Sequence, residues 1–178
     1  LPDGRQINFP PLQEERLKSA GADLNLSRTP SLQGGDLVLV TGEVERSTDF
    51  EKGLPNAYVM RERGVEHDPI KDDQGLVLHI HGKGLVVISG CAHAGIINSI
   101  RHAQKIAGVK QVYAVIGGFH LTGPQSEPVI EPTIQELKEI APEIIVPMHC
   151  TGWKTIQQIA AELPEAFIPS CVGTKVLL

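Results

Sequence analysis

The chain has 178 residues, 41% of them hydrophobic, with 18 Gly, 13 Pro and a formal net charge of −5. That is enough chain to bury a sizeable core, and a single domain over residues 1–178 is expected. With no basic run, nucleic acid and anionic membrane are excluded as expected partners, and no apolar stretch approaches the roughly 18 residues that cross a bilayer.

In chain order, Pro10-Pro11 opens a short helix over residues 12–20, stopped by Gly21. Residues 22–27 (ADLNLS) alternate like an exposed strand. After the Gly34-Gly35 turn, DLVLV at 36–40 reads as a buried strand. Residues 44–63 mix charge, Gly and Pro, and read as a long loop with a short strand at 57–60; GVEHDPIKDDQ at 64–74 is polar and turn-like. From residue 76 the pattern becomes regular. LVLHIH and LVVIS flank Gly82-Lys83-Gly84 as a hairpin. Apolar residues at 96, 97, 100, 103 and 106 keep helical spacing. A strand at 112–116, a helix at 130–140, a strand at 143–147 and a helix at 153–163 follow, and 166–170 and 175–178 read as closing strands.

Three times an apolar strand ends in a histidine: VVISGCAH at His93, YAVIGGFH at His120 and IIVPMH at His149. Strand–helix alternation makes such strands parallel, so their carboxyl ends gather on one edge, where ligands bind in α/β sheets. Three imidazoles delivered there are placed to share a metal ion. The spacings of 27 and 29 residues each match one helix-containing crossover.

The other histidines read differently. His79 and His81 form an H-x-H pair beside the hairpin turn but lack an acidic follow-up, while His67 and His102 read as solvent-exposed. Cys91 lies two residues before His93 and can point the same way, which makes it a candidate thiolate ligand. Cys150 is expected to face away from His149 on an extended chain. A cysteine nucleophile at Cys91 or Cys150 beside a histidine base is the competing chemistry. Three cysteines are too few for a disulfide framework, and a cytoplasmic setting is expected.

The stretches GLVVISGCAHAGIINSI, AVIGGFHL and IVPMHCTG, with TGEVERSTDFE upstream and SCVGTKVLL at the end, together resemble the later part of metallo-β-lactamase-fold metallohydrolases. The branch they resemble includes the dihydropterin–ribofuranosylaminobenzene phosphate synthase-like proteins. The resemblance implies an α/β fold, the αββα sandwich, with one or two divalent ions at the sheet edge, typically zinc, otherwise manganese or iron. It makes His149 the family's last histidine ligand, puts Cys91 where an aspartate normally bridges two metals, and puts Glu43 in the place of the family's central histidine ligand. The upstream H-x-H-x-D-H motif does not occur in the chain, and LHIHGKG is no substitute. The expectation is therefore that the N-terminal third of the fold is missing, the alternative being a degenerate relative.

The implied activity is that of a metal-dependent hydrolase or hydrolase-like synthase, a metal-activated water attacking a phosphoryl or acyl group of a small-molecule substrate. The alternative is a catalytically inactive metal- or ligand-binding module of the same fold. The expected metal ligands are His93, His120 and His149. Expected partners are the small-molecule substrate and either the missing N-terminal part or a second copy of the chain. The helix start after Thr151-Gly152 is a candidate anion seat, Trp153 a pocket wall or packed core residue, and residues 46–50 a candidate substrate lid.

Overall fold

The computed structural model describes residues 7–178; the opening LPDGRQ, which reads in sequence as loop, falls outside them. A short helix α1 (Glu14–Ser19) precedes β1 (Ser31–Gln33), β2 (Val38–Val40) and a separate hairpin of β3 (Tyr58–Arg61) and β4 (Gly64–His67). The regular half follows: β5 (Gly75–Ile80), β6 (Gly84–Ser89), α2 (Ile96–Ala107), β7 (Val112–Gly118), α3 (Glu127–Ile140), β8 (Ile144–Met148) and α4 (Trp153–Glu162). Six strands make one sheet in the order β1-β2-β5-β6-β7-β8. Its first four strands are antiparallel neighbours, whereas β6, β7 and β8 run parallel. The change of direction follows from the connections, because a three-residue turn joins β5 to β6 while a helix carries each later crossover.

The hairpin turn depends on glycine, with Gly82 at φ 76° and Gly84 at φ 122°. Helix α2 closes on Gly108 in the left-handed conformation. The apolar positions spaced three and four apart form one helix face. Ile96, Ile97, Ile100 and Ala103 of α2, Ile130, Ile134 and Leu137 of α3 and Ile159 of α4 are buried with Val77, Leu85, Val87, Val115 and Ile145 of the sheet. Each fully buried Ile or Leu contributes on the order of 1.5–3 kcal/mol, so this layer holds the strand ends in place.

The other sheet face is apolar as well. Cross-strand partners Leu76–Ile88–Ile116–Val146 and Leu78–Val86–Ala114–Ile144 form two continuous rows. The cluster there is built from strand residues only, with Leu78, Ile80, Ile88, Ile116 and Ile144 half-buried. Among the described residues, then, one helical layer and one sheet of a sandwich are present.

Several expectations are corrected. Residues 22–27 form no strand, and the pairing segment is β1 instead. GVEH is not a turn but pairs with residues 58–61. The 36–40 stretch is only half-buried, since β2 has the edge strand beside it and Leu37 is exposed. The closing strands are absent: Phe167 makes a single parallel bridge to Ile145, and Val172 and Leu177 are exposed without ladder partners.

Candidate metal centre

Because β6, β7 and β8 are parallel, their carboxyl ends arrive side by side, and the three loops that follow are laced together. Gly118 donates its N–H to the Gly90 carbonyl at 3.0 Å, and Ser89 Oγ donates to the Gly118 carbonyl at 2.8 Å. Phe119 N–H donates to Thr151 Oγ1 at 3.0 Å, and His120 N–H to Cys150 Sγ at 3.2 Å. The glycines before His120 serve this closure. A Cβ on Gly118 would meet Cys150 Sγ at 2.7 Å, and one on Gly117 would strike the Ser89 carbonyl. Their close approach is to the neighbouring chain segments. Three residues of these loops hold left-handed backbone without being glycine: Ala92 (φ 55°), His120 (φ 48°) and His149 (φ 52°). Such conformations cost energy and cluster at functional sites.

The side chains converge. The rings of His93 and His120 lie 4.6 Å apart at 53°, and His149 Nε2 is 3.1 Å from Cys91 Sγ. Donor atoms of Cys91, His120 and Cys150 all lie within 4.8 Å of one another. The expectation that Cys150 faces away is corrected: with His149 at φ 52° the chain is not extended there, and the thiol turns in to donate to the Cys91 carbonyl at 3.4 Å. Burial, together with the neighbouring His93, pulls the His120 pKa below its ordinary value, keeping its imidazole neutral and its lone pair available. Burial pushes the Cys150 thiol up to about 11, which makes it a poor nucleophile at neutral pH. Buried Nδ1 atoms of His93 and His120 have no hydrogen-bond partner. Two neighbouring imidazoles amid thiols, with Nδ1 of His120 left without a partner, fit a cation, which such donors bind.

Asp73 was not among the expected residues. Its Oδ1 lies 3.3 Å from His93 Nδ1, in ion-pair range though not aligned as a hydrogen bond. Oδ2 accepts the Ala94 N–H at 3.0 Å. A carboxylate against the far nitrogen of an imidazole orients the ring and raises its basicity. The only signal in sequence was an Asp72-Asp73 pair just ahead of β5.

Other expected residues fall elsewhere. Glu43 pairs with Lys71 at 3.4 Å and Arg28 at 3.9 Å rather than joining the cluster. His79 and His81 are exposed at the opposite end of the sheet. His67 is exposed, as expected, and bonds the Leu54 carbonyl. His102 is buried rather than solvated, because Thr41 O and Glu45 N–H occupy its two ring nitrogens. Trp153 is 71% exposed and does not pack in the core. Residues 46–50 are tied to α2 rather than free as a lid, with the N–H groups of Ser47 and Thr48 on Asn98 Oδ1. Beside His93 and His120 a cavity of about 370 Å³ opens between Phe50, Leu54, Phe119 and Val129, a size suited to a small molecule.

No family model matches the chain. It is 36% identical over 156 residues, 86% of its length, to the 7,8-dihydropterin-6-methyl-4-(beta-D-ribofuranosyl)-aminobenzene-5'-phosphate synthase of Methanocaldococcus jannaschii. An uncharacterised protein of the same organism is 31% identical over 149 residues, 84% of the chain. The chain spans about half the length of these curated relatives, 52% of each. Its fold matches the crystal structure of a metal-dependent hydrolase of the beta-lactamase superfamily with a TM-score of 0.72 and 26% identity, covering 88% of this chain and 58% of the other.

Proposed function

We propose, for a chain that has the metallo-β-lactamase fold and is related to a dihydropterin-ribofuranosylaminobenzene phosphate synthase, that these three loops form one side of a metal centre. The protein would be a hydrolase or hydrolase-like synthase acting on a phosphoryl or acyl group of a small molecule. The observation that carries the reading is that the loops after three parallel strands bring donor atoms of Cys91, His120 and Cys150 within 4.8 Å of one another, with the His93 ring 4.6 Å from that of His120 and His149 Nε2 3.1 Å from Cys91 Sγ. A divalent ion held there supplies Lewis acidity and a water acidic enough to attack near neutral pH. Zinc is the ion favoured, with iron ahead of manganese, because soft thiols at Cys91 and Cys150 accompany the imidazoles.

The chain's own groups have definable work. Asp73, 3.3 Å from His93 Nδ1, places a negative charge beside that ring and favours its protonation on that nitrogen. Burial keeps His120 neutral and able to donate its lone pair. The apolar part of the cavity wall, Phe50 and Leu54 among it, offers a planar ring a surface to pack on. An aminobenzene ribosyl phosphate or a pterin, the chemistry in the relative's name, suits such a wall. The second apolar sheet face would take the other sheet of the sandwich, from the same polypeptide or from a second copy. Free Cys91 and Cys150 at the centre agree with a reducing, cytoplasmic setting.

The test uses the full-length protein loaded with zinc, with metal measured by mass spectrometry and turnover followed on 4-nitrophenyl phosphate and 4-nitrophenyl acetate. His120→Ala and His149→Ala should each lower metal content at least twofold and turnover by roughly 10–100-fold. Unchanged metal content in both variants would sink the reading. Metal binding without turnover in the wild type would leave the inactive binding module. A second reading has its own observation, the 3.1 Å contact between Cys91 Sγ and His149 Nε2. If Cys91 is the nucleophile, Cys91→Ser abolishes turnover while metal content stays the same.

A further inference from the structure

Helix α2 starts on Gly95, which has no side chain to cap the free N–H groups of the first turn. The cap comes from elsewhere. Glu51, only 5% exposed, accepts the Ile97 N–H at 2.9 Å on Oε1 and the Asn98 N–H at 2.8 Å on Oε2. Asn98 answers in the opposite direction. Fully buried, its Oδ1 accepts the N–H groups of Ser47 at 2.7 Å and Thr48 at 2.9 Å, while Nδ2 donates to the Ala94 carbonyl at 2.8 Å. Thr48 Oγ1 donates to Glu51 Oε2 at 3.3 Å and closes the ring. Side chain of loop binds backbone of helix, and side chain of helix binds backbone of loop.

The fit is tight. A Cβ on Gly95 would run into the Glu51 carboxyl, and Gly95 holds φ 105°, so glycine is required there twice over. Gly53, further along the same loop, passes close enough to the His93 carbonyl that a Cβ would sit 3.5 Å from it. Residues 50–55 then form one wall of the cavity whose other wall carries His93 and His120. The loop is joined to the histidine-bearing turn by α2 itself, since His93 and the capped N–H groups lie within six residues of each other.

We propose that Glu51 and Asn98 are positioning residues: together they form a reciprocal latch that holds the 47–55 loop at a fixed distance from His93 and His120 and so sets the width of the substrate cavity. This rests on the reading of that cavity as the substrate site. The latch acts on binding rather than on the chemical step, because neither side chain makes a direct hydrogen bond to His93, His120 or His149 among the described residues. Thr48 is the weaker, outer member of the same ring.

The test compares wild type, Glu51→Gln and Thr48→Val in the full-length, zinc-loaded protein. Gln keeps the shape but turns an N–H donor towards the Asn98 or Ile97 N–H, and Val removes only the closing hydroxyl, so Thr48→Val folds even if Glu51→Gln does not. Amide hydrogen exchange should accelerate at least tenfold at residues 47–55 and in the first turn of α2 in Glu51→Gln, and two- to threefold in Thr48→Val, with β6–β8 unchanged. On 4-nitrophenyl phosphate, KM should rise at least fivefold in Glu51→Gln while kcat changes less than twofold and zinc content stays constant. Unaltered exchange at 47–55 in both variants overturns the latch. Faster exchange with unchanged KM shows the loop is tethered but does not set the cavity, which overturns the proposal. If the wild type neither binds zinc nor turns over the probe, the functional reading fails separately, and the exchange arm still decides whether the latch exists.

Discussion

At the scale of single residues, the centre depends on backbone conformations as much as on side chains. That the loops carrying His93, His120 and His149 would follow strands at one sheet edge was legible, because each closes a strand whose apolar run is plain in sequence. The inward turn of Cys150 was not, since it depends on the left-handed φ of His149, a conformation that nothing short of the folded loop dictates. Asp73 and Glu51 escaped notice for a related reason: their backbone partners lie 21 and 46 residues away. Glu51 also carries a pH signature. Burial, opposed by its two backbone hydrogen bonds, raises its pKa from 4.5 to about 7. The folded protein therefore holds more protons than the unfolded chain between pH 4.5 and 7, and this group's contribution to stability declines as pH rises through that window. The gain at pH 5 over pH 8 should be about 2–3 kcal/mol larger in wild type than in Glu51→Gln, read from urea denaturation at both pH values. Equal pH dependence in the two proteins would show that the carboxyl titrates normally.

At the scale of elements, the βαβα run from β6 onward was readable because helical spacing and continuous apolar strands leave few alternatives. The ends of the chain were not. Residues 166–170 have strand-like composition but only Phe167 finds a partner, at Ile145, and 64–67 looked polar yet pair with 58–61 in a small exposed hairpin. Pairing partners, not propensity, decided both outcomes. The join between β6, β7 and β8 is the element-scale feature with most at stake. Gly118→Ala puts a methyl against the Gly90 carbonyl and Cys150 Sγ. It should cost about 1–3 kcal/mol of stability and lower zinc affinity, measured by denaturation and by competition with a chromogenic chelator. A stable variant with normal zinc affinity would mean the three loops can part without consequence.

At the scale of the whole molecule, the sheet separates two apolar faces of unequal cover. Helices α2, α3 and α4 close one; the rows through Leu76, Ile88 and Ile116 and through Leu78 and Ala114 lie on the other. Sheets with parallel strands are ordinarily covered on both sides. The 178-residue chain alone should therefore self-associate at tens of micromolar on gel filtration and bind a hydrophobic dye, and Leu76→Lys with Ile116→Lys should suppress both. A wild-type chain that stays monomeric and dye-free would show this face to need no second layer. One further consequence follows from β6, which pairs antiparallel with β5 across a three-residue turn and parallel with β7 across a helix. Local pairings close quickly and distant ones late. That strand sets a time order: its hairpin side can form within microseconds, on the scale of isolated hairpins, while the edge that gathers His93, His120 and His149 must wait for two crossovers. The candidate metal site thus forms after the hairpin, and an ion bound only there would prolong the life of the folded state more than hasten its formation.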